Sequence, residues 1–170
     1  SSDLILGLGS PTHPLPESSY AAWASTYTWA RCYDYDYLYA GPLFTHQLSH
    51  VWIDFRHIQD AFMRDKGIDY FENSRRATYI QQQYAIKNPF EFAGYDQYCW
   101  GITASDGPGP GRLKVNGMQR RFFDYAGRGV PYGPDDGTIA PWAVVASLPF
   151  APEIVLPTLD HCSHHIKLTE

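Results

Sequence analysis

Residues 41–76 constrain this chain more than any other stretch, because two helical patterns meet there across a short Lys66-Gly67 break. In the first pattern His46, His50 and Asp54 recur at i, i+4 and i+8, which puts them on one stripe of a helix running to about Arg64. Leu43, Phe44, Val51, Trp52 and Phe55 supply apolar contact for the rest of that surface. In the second pattern Asp69, Tyr70, Glu72, Asn73, Arg75 and Arg76 crowd just past Gly67. Acids, amides, guanidiniums and aromatics gathered at a helix start are what a polyhydroxylated ligand needs. They are also what a well-capped helix contains.

Each group therefore has two readings. Histidines at i and i+4 can share a metal ion, but the glutamate of an HExxH motif is missing and no ligand cluster follows, so no metal and no cofactor are expected. Hydrogen bonding within a cleft, or direct substrate contact, remains for His46 and His50. Glu72 follows Asp69 by three residues, the acidic form of a capping box. Against capping alone, Tyr70, Asn73 and two arginines lie beside it, and a carboxyl so placed serves glycosidic chemistry in either protonation state. Asp106 and Asp136 both lie near glycines, as ordinary turn residues do. Trp100 precedes Asp106 closely in CWGITASDGP, and a tryptophan beside an acid in a loop makes a sugar platform.

Elsewhere the local signals are plainer. Tyr20, Trp23, Tyr27 and Trp29 recur at near-helical spacing over residues 18–30, with Ser18 or Ser19 as the natural cap. The alternation in RCYDYDYLY, residues 31–39, predicts a short strand. A helix is expected from about Asp69 to Lys87, stopping before Asn88-Pro89. From Phe90 to Pro134 glycine and proline become frequent and periodicity fades, with room for a hairpin within 112–126. Two apolar helices, Pro141–Phe150 and Pro152–His161, close the chain, each opening on a proline. The reading is five or so helices, long structured loops and little sheet.

Whole-chain properties exclude several classes. With 170 residues the chain holds one domain with a real core, taken as 1–170. A net charge of −5 without any basic block argues against nucleic acid, and no apolar run approaches a membrane span. Three cysteines lack CxxC spacing, and no serine-hydrolase elbow, phosphate loop or dinucleotide fingerprint occurs. Aromatics reach 16% with 13 tyrosines, a surplus that suits a cleft stacking carbohydrate rings as well as a tyrosine-rich core. The start at Ser1, without Met or signal peptide, is expected of a fragment or processed product.

Five blocks carry a resemblance: GSPTHPLP, GPLFTHQLSHVWIDFR, GIDYFENSRRA, YCWGITASDGP and DDGTIAPWAVVASLPFAPEIVLPTL. In this order, across nearly the whole chain, they resemble the putative glucoamylase-like family, which includes bacterial endo-β-1,2-glucanases and related domains of cyclic β-1,2-glucan synthases. The resemblance implies an all-α (α/α)6 toroid, of which this chain is the later, C-terminal part, with the N-terminal part of the same toroid as its missing partner. It implies a cleft formed by the loops after residues 39, 66 and 92, an oligo- or polysaccharide substrate, and a periplasmic or secreted setting. The implied activity is endo-hydrolysis of β-1,2-glucan by a carboxylate pair. Glycan cyclisation by transglycosylation and non-catalytic carbohydrate binding are the alternatives. Glu72, His46, Asp54, Arg75, Trp100 and Asp106 match the family's motif positions. The family's general-acid glutamate precedes the block resembling LGLGSPTHPLP, where this chain has only Ser1-Ser2. The candidates are Glu72, Asp106 and Asp54 as catalytic carboxylates, with His46, His50, Tyr70, Arg75, Trp100 and Asp136 as substrate contacts.

Overall fold

The computed structural model describes residues 7–115 and 117–165. Its centre is helix α3, Tyr70–Lys87, preceded by α1 (Glu17–Ala24) and α2 (Ala61–Lys66) and followed by α4 (Pro141–Ala146) and α5 (Pro152–His165). Asp69 starts α3 as its cap, accepting a hydrogen bond from the Glu72 amide at 2.7 Å. Asp60 does the same for α2 from the Met63 amide, also at 2.7 Å. Between the two helices Gly67 sits at φ +70, the left-handed conformation that ends a helix and favours glycine. The break at Lys66-Gly67 is as expected, and so is the end of α3 before Pro89.

Helix α3 buries Asn73, Ala77, Ile80, Gln81, Tyr84 and Ala85 along one face. Tyr37, Leu43, Trp100, Ile102, Val144 and Val155 join Ala77, Ile80, Tyr84 and Ala85 in the core. Its buried polar side chains serve the irregular segments packed on it. Asn73 Oδ1 accepts from the Leu38 amide at 2.7 Å, Gln81 Oε1 from the Ile102 amide at 3.0 Å, and Ser74 Oγ donates to the His46 carbonyl at 2.6 Å. Backbone groups that no helix or sheet satisfies thus find partners on the central helix, as burial requires.

The structure corrects the all-α expectation. Among the described residues six short strands form three antiparallel pairs: β1 (Trp29–Cys32) with β2 (Tyr35–Leu38), β3 (Ala104–Ser105) with β6 (Ala126–Gly127), and β4 (Gly111–Val115) with β5 (Met118–Phe122). The Tyr/Asp alternation over 31–39 falls mostly in a hairpin that turns at Tyr33 and Asp34, with Trp29 opposite Leu38 and Cys32 opposite Tyr35. The hairpin expected within 112–126 is present as β4–β5. Helix α1 is shorter than its aromatic spacing suggested, and Pro16 rather than Ser18 or Ser19 holds its cap position.

The larger correction concerns residues 42–64. No continuous helix forms there. Leu43–His46 and Leu48–Val51 are two 3-10 turns, and irregular chain leads on to α2. The reason lies in the distribution of apolar residues. Leu43 faces the core, whereas Leu48, Val51 and Trp52 are exposed, so no single stripe drives a helix. Tertiary hydrogen bonds hold the segment instead: the Phe44 amide donates to Thr103 Oγ1 at 3.1 Å, and Gln47 Nε2 donates to the Ala143 carbonyl at 3.1 Å. The closing helices both open on proline as expected, though α4 ends at Ala146 and α5 continues to His165.

Candidate functional site

A cleft of about 690 Å³ opens where α1, the end of β2, the two 3-10 turns and the first turns of α3 converge. Of the loops expected to build a cleft, the one after residue 39 contributes, while those after 66 and 92 supply no lining residue. Tyr20 and Trp23 come from α1, Tyr27 from the turn that follows it, His46 and His50 from the 3-10 turns, and Tyr70 from the start of α3. An aromatic wall with a few converging polar groups is the usual composition of a small-molecule site.

The two histidines have defined roles. His46 Nε2 lies 3.1 Å from the Ala40 carbonyl oxygen, which can only accept, so Nε2 carries the proton. Nδ1 is then free to accept from Asn73 Nδ2 at 3.4 Å. Burial disfavours the charged imidazolium and lowers the His46 pKa to about 4. Ser74 Oγ gives its proton to the His46 carbonyl, so it accepts from His50 Nε2 at 3.0 Å. The His50 ring is wedged against Phe55, Phe71 and Phe150, and burial lowers its pKa too. Both rings are neutral hydrogen-bonding groups at neutral pH. The stripe expected from i, i+4, i+8 spacing is not helical, but it still delivers His46 and His50 to one cleft.

Behind the cleft wall lies Asp60. Its Oδ2 accepts from the Tyr70 hydroxyl at 2.6 Å and from the Tyr20 hydroxyl, and its Oδ1 caps α2. The Tyr70 oxygen is 3.2 Å from the hydroxyls of both Tyr20 and Tyr27, and Trp23 Nε1 donates to Tyr27 at 3.2 Å. Burial opposes the Asp60 charge, but the two phenols and the Met63 amide outweigh it and hold the carboxyl below its usual pKa. Burial and the Asp60 carboxylate both raise the pKa values of Tyr20 and Tyr70, so neither ionises near neutral pH.

The other sequence-derived candidates fall elsewhere. Trp100, expected on a sugar platform, is 1% exposed in the core and donates from Nε1 to Thr158 Oγ1 at 3.0 Å. Asp136, expected to contact substrate, pairs with the fully buried Arg128 through contacts of 2.7 Å from Nε to Oδ1 and from Nη2 to Oδ2. Burial alone would raise the Asp136 pKa, but Arg128 and the Thr138 and Phe123 contacts bring it to about 2. The Trp100 and Asp136 side chains are both buried and hydrogen-bonded within the fold, outside the cleft lining.

Glu72 does not reach back to the cap. Its carboxylate pairs with Arg76 at 2.9 Å and Arg75 at 3.7 Å, outside the cleft lining. Arg75 also meets Tyr79 at 2.9 Å and Glu153 at 3.3 Å, and Tyr79 donates to the same glutamate. Asp54 is exposed and forks onto Arg56, whose hydrogen bonds lower its pKa to about 2. Asp106 is exposed outside the cleft lining. Among the described residues the cleft lining contains no carboxylate, and no three His, Cys, Asp or Glu side chains gather in a metal-holding group.

Sequence reasoning named neither Asp60 nor Ser74, took Asn73 only as polar equipment beside Glu72, and named Tyr20, Trp23 and Tyr27 only as helix pattern. The sequence reading placed Asp60 inside a continuous helix rather than at a cap. Its meeting with Tyr20, 40 positions away, had no local signal.

A family model described as "Glycoamylase: Putative glucoamylase" matches residues 3–169. The chain is 28% identical over 168 residues to the "Exo beta-1,2-glucooligosaccharide sophorohydrolase (non-reducing end)" of Parabacteroides distasonis, covering 85% of this chain and 21% of that protein. It superposes on an endo-beta-1,2-glucanase from Chitinophaga pinensis, solved with sophorotriose and glucose, at a TM-score of 0.78 and 26% identity over 96% of this chain and 38% of the other. For a glucoamylase-type structure from Bacteroides uniformis the TM-score is 0.75 and the identity 30%, over 94% and 36% of the two chains. The chain spans about a fifth of the curated relative and under two fifths of these solved structures.

Proposed function

The chain belongs to the putative glucoamylase family, and from that membership we propose that it is part of a glycoside hydrolase acting on β-1,2-linked glucan. The observation that carries the reading is the tyrosine- and histidine-lined cleft of about 690 Å³ in a chain whose similar proteins are named for β-1,2-gluco-oligosaccharides. Tyr70, Tyr20 and Tyr27 offer ring faces and hydroxyl oxygens to sugar. Neutral His46 and His50, with Asn73 and Ser74, add hydrogen-bonded polar groups to the lining. The site asks for a neutral polyhydroxylated ligand.

Hydrolysis needs two carboxyl groups flanking the scissile bond. None lines this cleft among the described residues, so the proposal assigns the catalytic pair to the remainder of a family-length domain packed on this chain. A complete (α/α)6 toroid supplies that remainder. Its contact surface is the apolar face carrying Leu48, Val51 and Trp52, and that of α4 carrying Trp142 and Val145, all exposed here. An exported enzyme, periplasmic or secreted, is part of the same proposal, and cell fractionation with an antibody to this chain tests it.

The central test titrates sophorotriose into the protein by calorimetry and follows reducing-end release from β-1,2-glucan by the family-length protein. Saturable binding with release supports the hydrolase, and absence of both ends the proposal. The lack of a lining carboxylate favours one other reading, a sugar-binding relative without turnover. Binding with no release by the family-length protein selects it.

A further inference from the structure

Two of the three cleft tyrosines share one acceptor, and this fixes where the protons of all three go. Asp60 Oδ2 takes the hydroxyl protons of both Tyr20 and Tyr70. Each phenol has a single proton, so the 3.2 Å approach between the Tyr20 and Tyr70 oxygens carries none. Tyr70, its proton spent, can only accept from Tyr27 across their 3.2 Å contact. Tyr27 accepts in turn from Trp23 Nε1 at 3.2 Å. Every proton in the group runs toward one carboxylate: Trp23 to Tyr27 to Tyr70 to Asp60, and Tyr20 to Asp60. The oxygens are left with lone pairs alone.

We propose that Asp60 is a positioning residue for the cleft, orienting Tyr20, Tyr27 and Tyr70 so that their hydroxyl oxygens accept protons from a neutral polyol and donate none. This rests on the reading of the cleft as a sugar site and adds a rule of specificity to it. Asp60 itself does not line the cleft. It acts through the phenols, and it is well held for the task. The Met63 amide fixes Oδ1 at 2.7 Å as the α2 cap, so Oδ2 cannot swing away from the tyrosines. Hydrogen bonds to a carboxylate are stronger than those between neutral groups, so the phenols keep this orientation in competition with water.

The wall discriminates between ligands by their protons. Sugar hydroxyls can donate to it, whereas an anionic ligand brings only lone pairs to meet lone pairs. A site built to pair with a hydroxyl rejects an analogue lacking that hydroxyl's proton far more strongly than shape alone would.

The experiment uses Asp60→Asn, in which the amide oxygen still caps α2 while an NH2 group replaces the acceptor facing the phenols. Tyr70→Phe is the second variant, and it cuts the chain from Tyr27 to Asp60 without touching the cap. Two readouts are taken. Tyrosine Raman difference spectra of the ligand-free proteins report whether phenols act as strong donors. Calorimetry with sophorotriose and its singly deoxyfluorinated analogues reports the value of each sugar proton, since fluorine cannot donate. The expected result is a loss of strong-donor tyrosine signal in both variants. In calorimetry, at least one fluorinated position should cost wild type tenfold or more in affinity, and the cost should fall severalfold in Asp60→Asn. A merely structural Asp60 would weaken all the sugars equally and leave the fluorine penalties unchanged, which overturns the proposal. Unchanged Raman signals overturn it too. Failure of wild type to bind sophorotriose removes the sugar reading of the site, while the Raman comparison still decides whether Asp60 orients the phenols.

Discussion

His46 is the residue whose environment makes the most definite solution prediction. It is buried and neutral in the fold, with its pKa lowered to about 4, against an ordinary value near 6.5 in the unfolded chain. Between those values the unfolded state binds the extra proton, so acid favours unfolding. The stabilisation is fully present above about pH 6.5 and drains away toward pH 4, by roughly 3 kcal/mol for a shift of that size. Urea midpoints from pH 7.5 to 4.5 should fall more steeply for wild type than for His46→Gln, which has nothing to titrate at that position. Equal slopes would show that His46 is not buried neutral. Glu72 makes the opposite kind of prediction. Its partners Arg76 and Arg75 are helical neighbours on a half-exposed face, a setting in which ion pairs contribute about 0.5 kcal/mol. Glu72→Gln should therefore leave the thermal midpoint and sophorotriose affinity near wild type, and turnover of the family-length protein intact. A fall in turnover by orders of magnitude would restore Glu72 as a catalytic carboxylate.

Among the elements, α3 was the most legible and the 43–51 segment the least, for physical reasons. The Asp69 cap, the apolar positions Ala77, Ile80 and Tyr84, and the Asn88-Pro89 stop are all local signals, and they agree with one another. The 3-10 turns depend on partners far along the chain, Thr103 for Phe44 and Ala143 for Gln47, which no window of neighbouring residues contains. Trp100 and Asp136 are buried, and an aromatic or acid among glycines reads alike whether its loop is solvated or packed. Around Arg128 and Asp136 the chain is packed, whereas the β4–β5 hairpin is exposed. Arg128 reaches the Ser105 carbonyl at 2.6 Å while pairing with Asp136, and neither side chain meets solvent. Removing one partner of a buried pair leaves the other charge stranded, at a cost of about 3–5 kcal/mol. Asp136→Ala should produce a loss of that size in urea unfolding, with sophorotriose binding by the folded fraction unchanged. Weakened binding at normal stability would instead make Asp136 a substrate contact.

At the scale of the whole molecule, the proposed remainder of the domain would meet both the cleft and an exposed apolar surface. Among the described residues the cleft lining offers hydrogen-bonding groups and aromatic rings but no carboxylate. Val51 is 71% and Trp52 78% exposed on a segment anchored to α4 by Gln47, whose Nε2 also donates to Ser147 Oγ at 2.8 Å. On α4 itself Trp142 and Val145 are half exposed while Ala143 and Val144 are buried. Large side chains left in water on adjoining segments are the mark of a surface that another element covers. If the rest of a toroid covers it, burying Trp52 there stabilises the family-length protein and does nothing for the 170-residue chain alone. Trp52→Ser should then lower the stability of the family-length protein by about 3 kcal/mol, the scale of a large aromatic lost from a packed site. In the 170-residue chain the same change should stay within about 0.5 kcal/mol, as exposed substitutions do. Equal, small effects in both proteins would mean that this face stays in water, and the proposed packing of the two parts of the domain would have to be abandoned.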